Sequence, residues 1–245
     1  MIVTISWDDG HKLNLRLAEL LNKYNIRATF YLAKDYDFSQ PDSEIKKIAE
    51  TQEIGAHTLS HPDLTKISVK EARLEIEGGK KWLEGLLGQP VESFAYPSGF
   101  YNEKVKELVK EAGFESARTV ECFDCYYPKD SFAWKATIHA YPHPFRKRSA
   151  DKLHLSRHLG DPLFRSLPGM IKWYLPPTAY FSWLSLAKAT FDYVKKQDGI
   201  WHMWGHSWEI EKYDMWQDLE NLFIYINQQK NVRYLTNSEA IKNKK

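Results

Sequence analysis

Met1-Ile2-Val3-Thr4-Ile5-Ser6-Trp7-Asp8-Asp9-Gly10 opens the chain with an apolar segment that ends on two adjacent acids. Residues 2–7 read as a short strand, and residues 13–24 carry Leu13, Leu17, Leu20, Leu21 and Tyr24 at the spacing of an amphipathic helix. Burying either carboxylate unpaired costs several kcal/mol, and a nearby cation is the usual remedy. His57-Thr58-Leu59-Ser60-His61 offers two imidazoles four residues apart, between Gly55 and Pro62. That confines the pair to about one turn, so a loop clasp is expected rather than a helix face. One Asp and two neutral His form a three-ligand set that leaves a position for water, the pattern of a catalytic metal. The other Asp is free to take a proton.

Outward from this start, strand and helix signals alternate. Ile26 to Leu32, Glu53 to Ala56, Ser93 to Tyr96 and Phe114 to Arg118 read as strands. Helices are expected from Asp42 to Ala49, from the Ser68–Glu71 capping box to Leu87 with Gly88 as its stop, and from Asn102 to Gly113. Gly78-Gly79 weakens the middle of the second. Further strands are expected near Lys135–His139, Gly199–Trp204 and Val232–Leu235, and helices at roughly 184–197 and 215–229. Such alternation argues for parallel strands joined by crossovers, in a barrel or a doubly wound sheet. The strand count favours an α/β fold of the distorted (β/α) barrel kind, with seven or eight mostly parallel strands in one domain over residues 1–245.

Residues 141–182 break the rhythm. Pro junctions and scattered aromatics mark an irregular insertion. Between His143 and Lys172 stand seven basic residues, Arg146, Lys147, Arg148, Lys152, Arg157, Arg165 and Lys172, against Asp151 and Asp161, a local charge of +5. Clustered Arg and Lys suit a phosphate-bearing substrate or peripheral contact with an anionic membrane surface; a solvated lid or a dimer contact explains them equally. Over all 245 residues the formal charge is +2, which gives no case for a nucleic-acid partner. Cys122 and Cys125 lack the second pair a zinc knuckle needs and read as reduced thiols without a role. The chain begins strand-like, with no signal-peptide pattern, and its greasiest stretch, Leu167 to Leu186, is broken by Pro168, Lys172, Pro176 and Pro177, so a cytoplasmic protein is expected.

Ser6-Trp7-Asp8-Asp9-Gly10 and His57-Thr58-Leu59-Ser60-His61, about fifty residues apart, resemble the first two motifs of the polysaccharide deacetylases with nodulation-protein homology, carbohydrate esterase family 4. The resemblance implies that Asp8 is the general base and that Asp9, His57 and His61 bind one divalent ion. Zinc is the default, with cobalt, nickel or manganese as alternatives. The family's third motif, Arg-x-Pro-x-Gly, is similar to Ala95-Tyr96-Pro97-Ser98-Gly99, but Ala95 stands where the Arg should pair with the base. Arg118, at the end of the next strand, is the expected substitute. For the last motif there are two counterparts, His202 and His206; the second lies nearer the strand's C-terminal end and is expected to be the general acid, with His202 a core group. Pro97, Tyr101 and Trp204 are the expected substrate contacts, with a backbone N–H near Phe100 or Tyr101 for the oxyanion.

The function implied is metal-dependent removal of an N-acetyl group from an amino sugar in a polysaccharide, glycolipid or sugar precursor. Hydrolysis of another non-peptide amide or a formamide, and carbohydrate binding without catalysis on the same fold, are the alternatives. Substrate identity and oligomeric state are not written in these motifs.

Overall fold

The computed structural model describes residues 1–36, 40–146 and 155–243, with backbone alone over 155–161. Lys147, Arg148, Lys152 and Asp151 of the basic stretch therefore lie outside the described residues.

β1 (Ile2–Trp7) is buried along its whole length and forms the axis of the fold. It is followed by α1 (Asn14–Lys23), β2 (Thr29–Leu32), α2 (Asp42–Ala49), β3 (Glu53–Ala56), α3 (Val69–Leu87), β4 (Ser93–Ala95), α4 (Glu103–Glu111) and β5 (Ser116–Arg118). Then come β6 (Ile138–Ala140), α5 (Leu155–Lys172), α6 (Trp183–Lys196), β7 (Ile200–Gly205), α7 (Ser207–Lys212), α8 (Trp216–Asn227), β8 (Arg233–Tyr234) and α9 (Asn237–Lys242). The strands lie in the order β5-β4-β3-β2-β1-β7-β6, all parallel, with β8 beside the start of β1. Arg118 bridges Trp134, and Thr137 donates its N–H to His202 O at 2.7 Å, so residues 134–140 link the β5 edge to β7. The chain thus forms the expected α/β fold, a curled sheet shaped as a distorted barrel.

Alternation along β1 decides what reaches the interior. Val3, Ile5 and Trp7 join the apolar core with Leu17 and Leu21 of α1. Thr4 and Ser6 instead meet polar groups, Thr4 at Asn237 and Ser6 at His202 Nε2, 3.2 Å away. Asn237, at the start of α9, also donates from Nδ2 to the Tyr31 hydroxyl (2.8 Å) and from its N–H to Thr29 Oγ1 (2.9 Å). One end of the barrel is thereby filled by a paired polar cluster, which satisfies groups that would be costly to bury alone. Asp8 continues the inward series at the opposite end.

The capping signals act as read: Ser68 and Glu71 form a capping box, Gly88 takes the left-handed conformation, and Asn102 Oδ1 accepts the Val105 N–H at 2.9 Å. Gly78 and Gly79 have a purpose beyond helix propensity. A Cβ on Gly79 would stand 2.8 Å from the Thr58 carbonyl oxygen, and one on Gly78 would stand 2.5 Å from Leu59 Cδ1. The pair lets the His57–His61 loop lie directly on α3.

The stretch 141–182 differs from its reading as irregular, because 18 of its residues form α5 despite Pro162 and Pro168 within it. Proline inside a helix loses a hydrogen bond and crowds the preceding turn. Packing offsets this here. Gly169 lies so close to the Phe123 ring that a Cβ would stand 2.1 Å from it, and Trp173, just past the helix, stacks on Tyr193 at 4.3 Å between centroids. Buried Met170 joins the same core.

Candidate metal centre and catalytic cavity

Beyond β1 the chain turns sharply. Asp9 (φ 79°) and Gly10 (φ 81°) both adopt left-handed backbone conformations, and Asp8 is tied to the adjacent strand through its N–H to Gly205 O at 3.0 Å. The reversal separates the two carboxylates. Asp8 meets Arg118, while Asp9 meets His57, His61 and His206.

Arg118 is fully buried, and its Nη2 donates to both oxygens of Asp8. The register explains how an arginine from β5 reaches Asp8. Ala95 of β4 and Arg118 of β5 are direct neighbours across the parallel pair, so the guanidinium occupies the level at which the motif arginine is missing. The guanidinium carbon also lies 5.0 Å from the Trp204 ring centre and 5.3 Å from that of Tyr31. Burial raises the Asp8 pKa, but Arg118, with His57 and His206, outweighs it and holds the carboxyl below the usual range. Asp8 is an ionised, oriented carboxylate.

His57 follows β3 and places Nδ1 2.7 Å from Ala95 O. A carbonyl only accepts, so Nδ1 carries the hydrogen and Nε2 keeps its lone pair, 3.7 Å from Asp9 Oδ1. Burial pushes the His57 pKa down to about 4, which keeps the ring neutral and able to ligate. The loop beyond it is the clasp expected from the sequence. Glu75 of α3 accepts from the N–H groups of Leu59 (2.9 Å) and Ser60 (2.8 Å), while Thr58 Oγ1 accepts the His61 N–H at 3.0 Å. His61 thereby brings Nε2 to 3.6 Å from Asp9 Oδ1, its ring 4.4 Å from that of Tyr36.

Ligand atoms of Asp9, His57 and His61 all lie within 4.8 Å of one another. Asp9 Oδ1 is buried with no hydrogen-bond donor, the signature of an oxygen awaiting a cation. Its other oxygen accepts from Trp208 Nε1 at 3.0 Å and faces His206 Nε2 at 3.6 Å. The donor set fits a divalent ion.

His206 stands just past β7, at the N-cap of α7. Its Nδ1 is 2.6 Å from Glu209 Oε2, and His139 Nε2 reaches the same oxygen at 3.3 Å. Burial works against charge on His206, but the bond to Glu209, with Asp9 and Asp8 nearby, pushes its pKa up to about 9. His202 lies deeper, on β7, against Ser6 and the Trp134 ring, where burial pushes its pKa down to about 3.

These groups open into a cavity of about 480 Å³ whose walls include Asp8, Asp9, His57, His61, His206 and Tyr36. Pro162, Arg165 and Ser166 of α5 and Trp183 and Leu186 of α6 line it as well. The three expected substrate contacts are placed differently. Pro97 is buried at the start of the tight turn Pro97–Gly99, and its neighbour Ser98 lines the cavity instead. Tyr101 stacks on Tyr96, 4.9 Å between centroids, and is not among the lining residues. Trp204 does reach the wall, but it is 8 % exposed and lies flat on His139 at 3.9 Å, so it offers no open face to a sugar. The Phe100 N–H already donates to Pro97 O at 3.1 Å. Sequence reading missed Tyr36, His139 and Glu209; for Glu209 the signal was its place three residues after His206, within reach across the start of a helix.

The family described as polysaccharide deacetylase is similar to this chain over residues 1–117, a stretch that contains the three motifs from Ser6 to Gly99. A peptidoglycan-N-acetylglucosamine deacetylase of Bacillus cereus is 30% identical over 117 residues, 47% of this chain and 54% of that protein. The uncharacterised protein YlxY of Bacillus subtilis is 23% identical over 175 residues, 69% of this chain and 50% of that protein. The chain spans about half or less of the length of such curated relatives. Among solved structures, a Mycobacterium smegmatis protein assigned to the polysaccharide deacetylases shares the fold over 98% of this chain and 88% of its own, with a TM-score of 0.70 and 15% identity. A Bacillus anthracis pseudoenzyme of carbohydrate esterase family 4 shares it over 96% of this chain and 62% of its own, with a TM-score of 0.53 and 16% identity.

Proposed function

We propose that this chain is a metal-dependent hydrolase that removes the N-acetyl group from an amino sugar. The observation that carries this reading is the separation of the two adjacent carboxylates: Asp9 Oδ1, without a donor, faces two histidines, while Asp8 is held by Arg118. Asp9, His57 and His61 are the residues that would hold the ion, with zinc suited to one carboxylate and two imidazoles. When bound, such an ion supplies Lewis acidity toward the acyl oxygen and makes water easier to deprotonate.

The protein's own groups supply the proton transfers. Asp8, kept ionised by Arg118, accepts the proton of the attacking water as it adds to the acetamide carbon. His206, kept protonated by Glu209, gives a proton to the departing nitrogen. The C–N bond breaks, and acetate and a free amine are the products. Trp208 orients Asp9 through its indole N–H, and Glu209 orients His206. Arg118 takes the part of the motif-three arginine from the neighbouring strand.

Amine release from a panel of N-acetylated glycans, sugar precursors and a formylated analogue, with and without chelator, tests the reading. Release of acetate that stops on metal removal and returns with zinc is expected. Release that survives complete metal removal contradicts it, and sugar binding without release assigns the chain to the non-catalytic alternative.

A further inference from the structure

Ten large apolar side chains are strongly exposed among the described residues, and five of them, Phe145, Phe164, Ile171, Tyr174 and Phe181, fall between residues 145 and 181. Phe164, Pro168 and Ile171 are spaced i, i+4, i+7 and lie on one outward face of α5. Phe164 is 68 % exposed and Ile171 59 %, and Tyr174, two residues beyond the helix, is 91 % exposed. Arg165 and Lys172, also exposed, flank that face on one side at about 80–100° around the helix. From Pro162 to Phe191 the chain carries Arg165, Lys172 and Lys188 and not one Asp or Glu.

Soluble proteins rarely leave a run of large apolar side chains facing water without use. An apolar stripe edged by basic residues is the pattern of a helix that lies in the interface of a bilayer. No helix among the described residues is long and apolar enough to cross a membrane. We propose that the outer face of α5 docks the protein on an anionic membrane surface, with Phe164, Ile171 and Tyr174 entering the headgroup boundary and Arg165 and Lys172 meeting lipid phosphates. The charge decides between this occupant and a second copy of the chain. Two such faces brought together would set arginine and lysine against their own kind, whereas an anionic surface neutralises them. Arg165 is both exposed and part of the cavity wall, so docking brings the mouth of the cavity against the lipid headgroups.

Co-sedimentation of the full chain with phosphatidylcholine vesicles, with and without phosphatidylglycerol, tests the surface at low salt. Binding at least about tenfold stronger to the anionic vesicles, and weakened by salt, is expected. The double variant Phe164→Glu, Ile171→Glu should lose tenfold or more of it, and Lys172→Glu about fivefold. Both apolar side chains are exposed, so the melting temperature should not move; should the double variant fail to fold, Phe164→Ser with Ile171→Ser serves in its place. Absence of binding to anionic vesicles, or binding that these variants leave unchanged, overturns the proposal. So does a dimer seen by sedimentation velocity that the apolar variants dissolve while vesicle binding is absent, because that assigns the face to a second copy. The readout needs no turnover, so its failure leaves the hydrolase reading standing.

Discussion

The two walls of the cavity are built on opposite plans. On the barrel side, Asp8, Asp9, His57 and Arg118 are almost wholly buried, come from strands or strand ends, and are each fixed by a hydrogen bond or ion pair to a named partner. On the α5 side, Arg165 lines the cavity and is exposed, Phe164 is exposed on the outward face of the same helix, and the helix interior contains two prolines. The contrast separates two tasks. Chemistry needs positions held to fractions of an ångström, which buried and cross-linked side chains provide; contact with a surface or a partner needs area and charge, which an exposed helix face provides. Changes on the first wall should therefore cost turnover, metal or stability, and changes on the outward face of α5 should cost none of these.

His206→Asn sharpens this most. It should lower kcat by about 10²–10⁴-fold while bound metal, counted by elemental analysis, stays the same. Phe164→Glu, on the outward face of α5, should leave turnover of a small soluble acetamide unchanged. Arg118→Met leaves Asp8 buried without its partner and should cost about 3–5 kcal/mol in equilibrium urea unfolding, with loss of activity. Equal stability of that variant would break the claim that the ion pair organises the barrel side. Trp208→Phe removes one donor from Asp9 and should weaken metal affinity by about 10–100-fold, read by competition with a chromogenic chelator. Gly79→Ala drives a Cβ toward the Thr58 carbonyl and should cost about 1–3 kcal/mol, read as a lower melting temperature.

A further effect depends on pH and concerns His202. Burial holds its folded pKa at about 3, below the ordinary histidine value of 6.5, so the unfolded chain binds the extra proton first as pH falls. Its contribution to stability is complete above about pH 6.5 and is lost progressively between there and about pH 3, at no more than about 1.4 kcal/mol per pH unit. His202→Asn should flatten that part of the pH–stability curve. An unchanged slope would show that other groups carry the acid sensitivity.

The same contrast explains what the sequence revealed. Asp8-Asp9-Gly10 and His57-x-x-x-His61 are short-range patterns, so strand ends and spacing made them legible. Arg118 was legible through a gap: Ala95 required a replacement, and the neighbouring strand had one arginine at its end. His139 was not legible, because it reaches Glu209 across about seventy residues of chain with no local pattern to mark it. Trp204 does reach the cavity wall, but alternation along β7 tells which face a ring takes, not that His139 already covers it. Gly78-Gly79 read as a weak point in a helix; only the position of Thr58 and Leu59 shows why small residues stand there. The helix α5 was hidden by its own prolines, whose local penalty is overcome by packing that no window of sequence displays.

Isothermal titration of zinc into the chelator-stripped protein and into its Asp9→Asn variant, with acetate release followed on the same samples, asks whether Asp9 holds an ion on which turnover depends. One tight zinc per wild-type chain is expected, with weak or no binding in the variant and acetate release that rises in step with the bound ion. Tight stoichiometric binding in the variant, or acetate release by the stripped wild type equal to that of the loaded protein, would contradict that role.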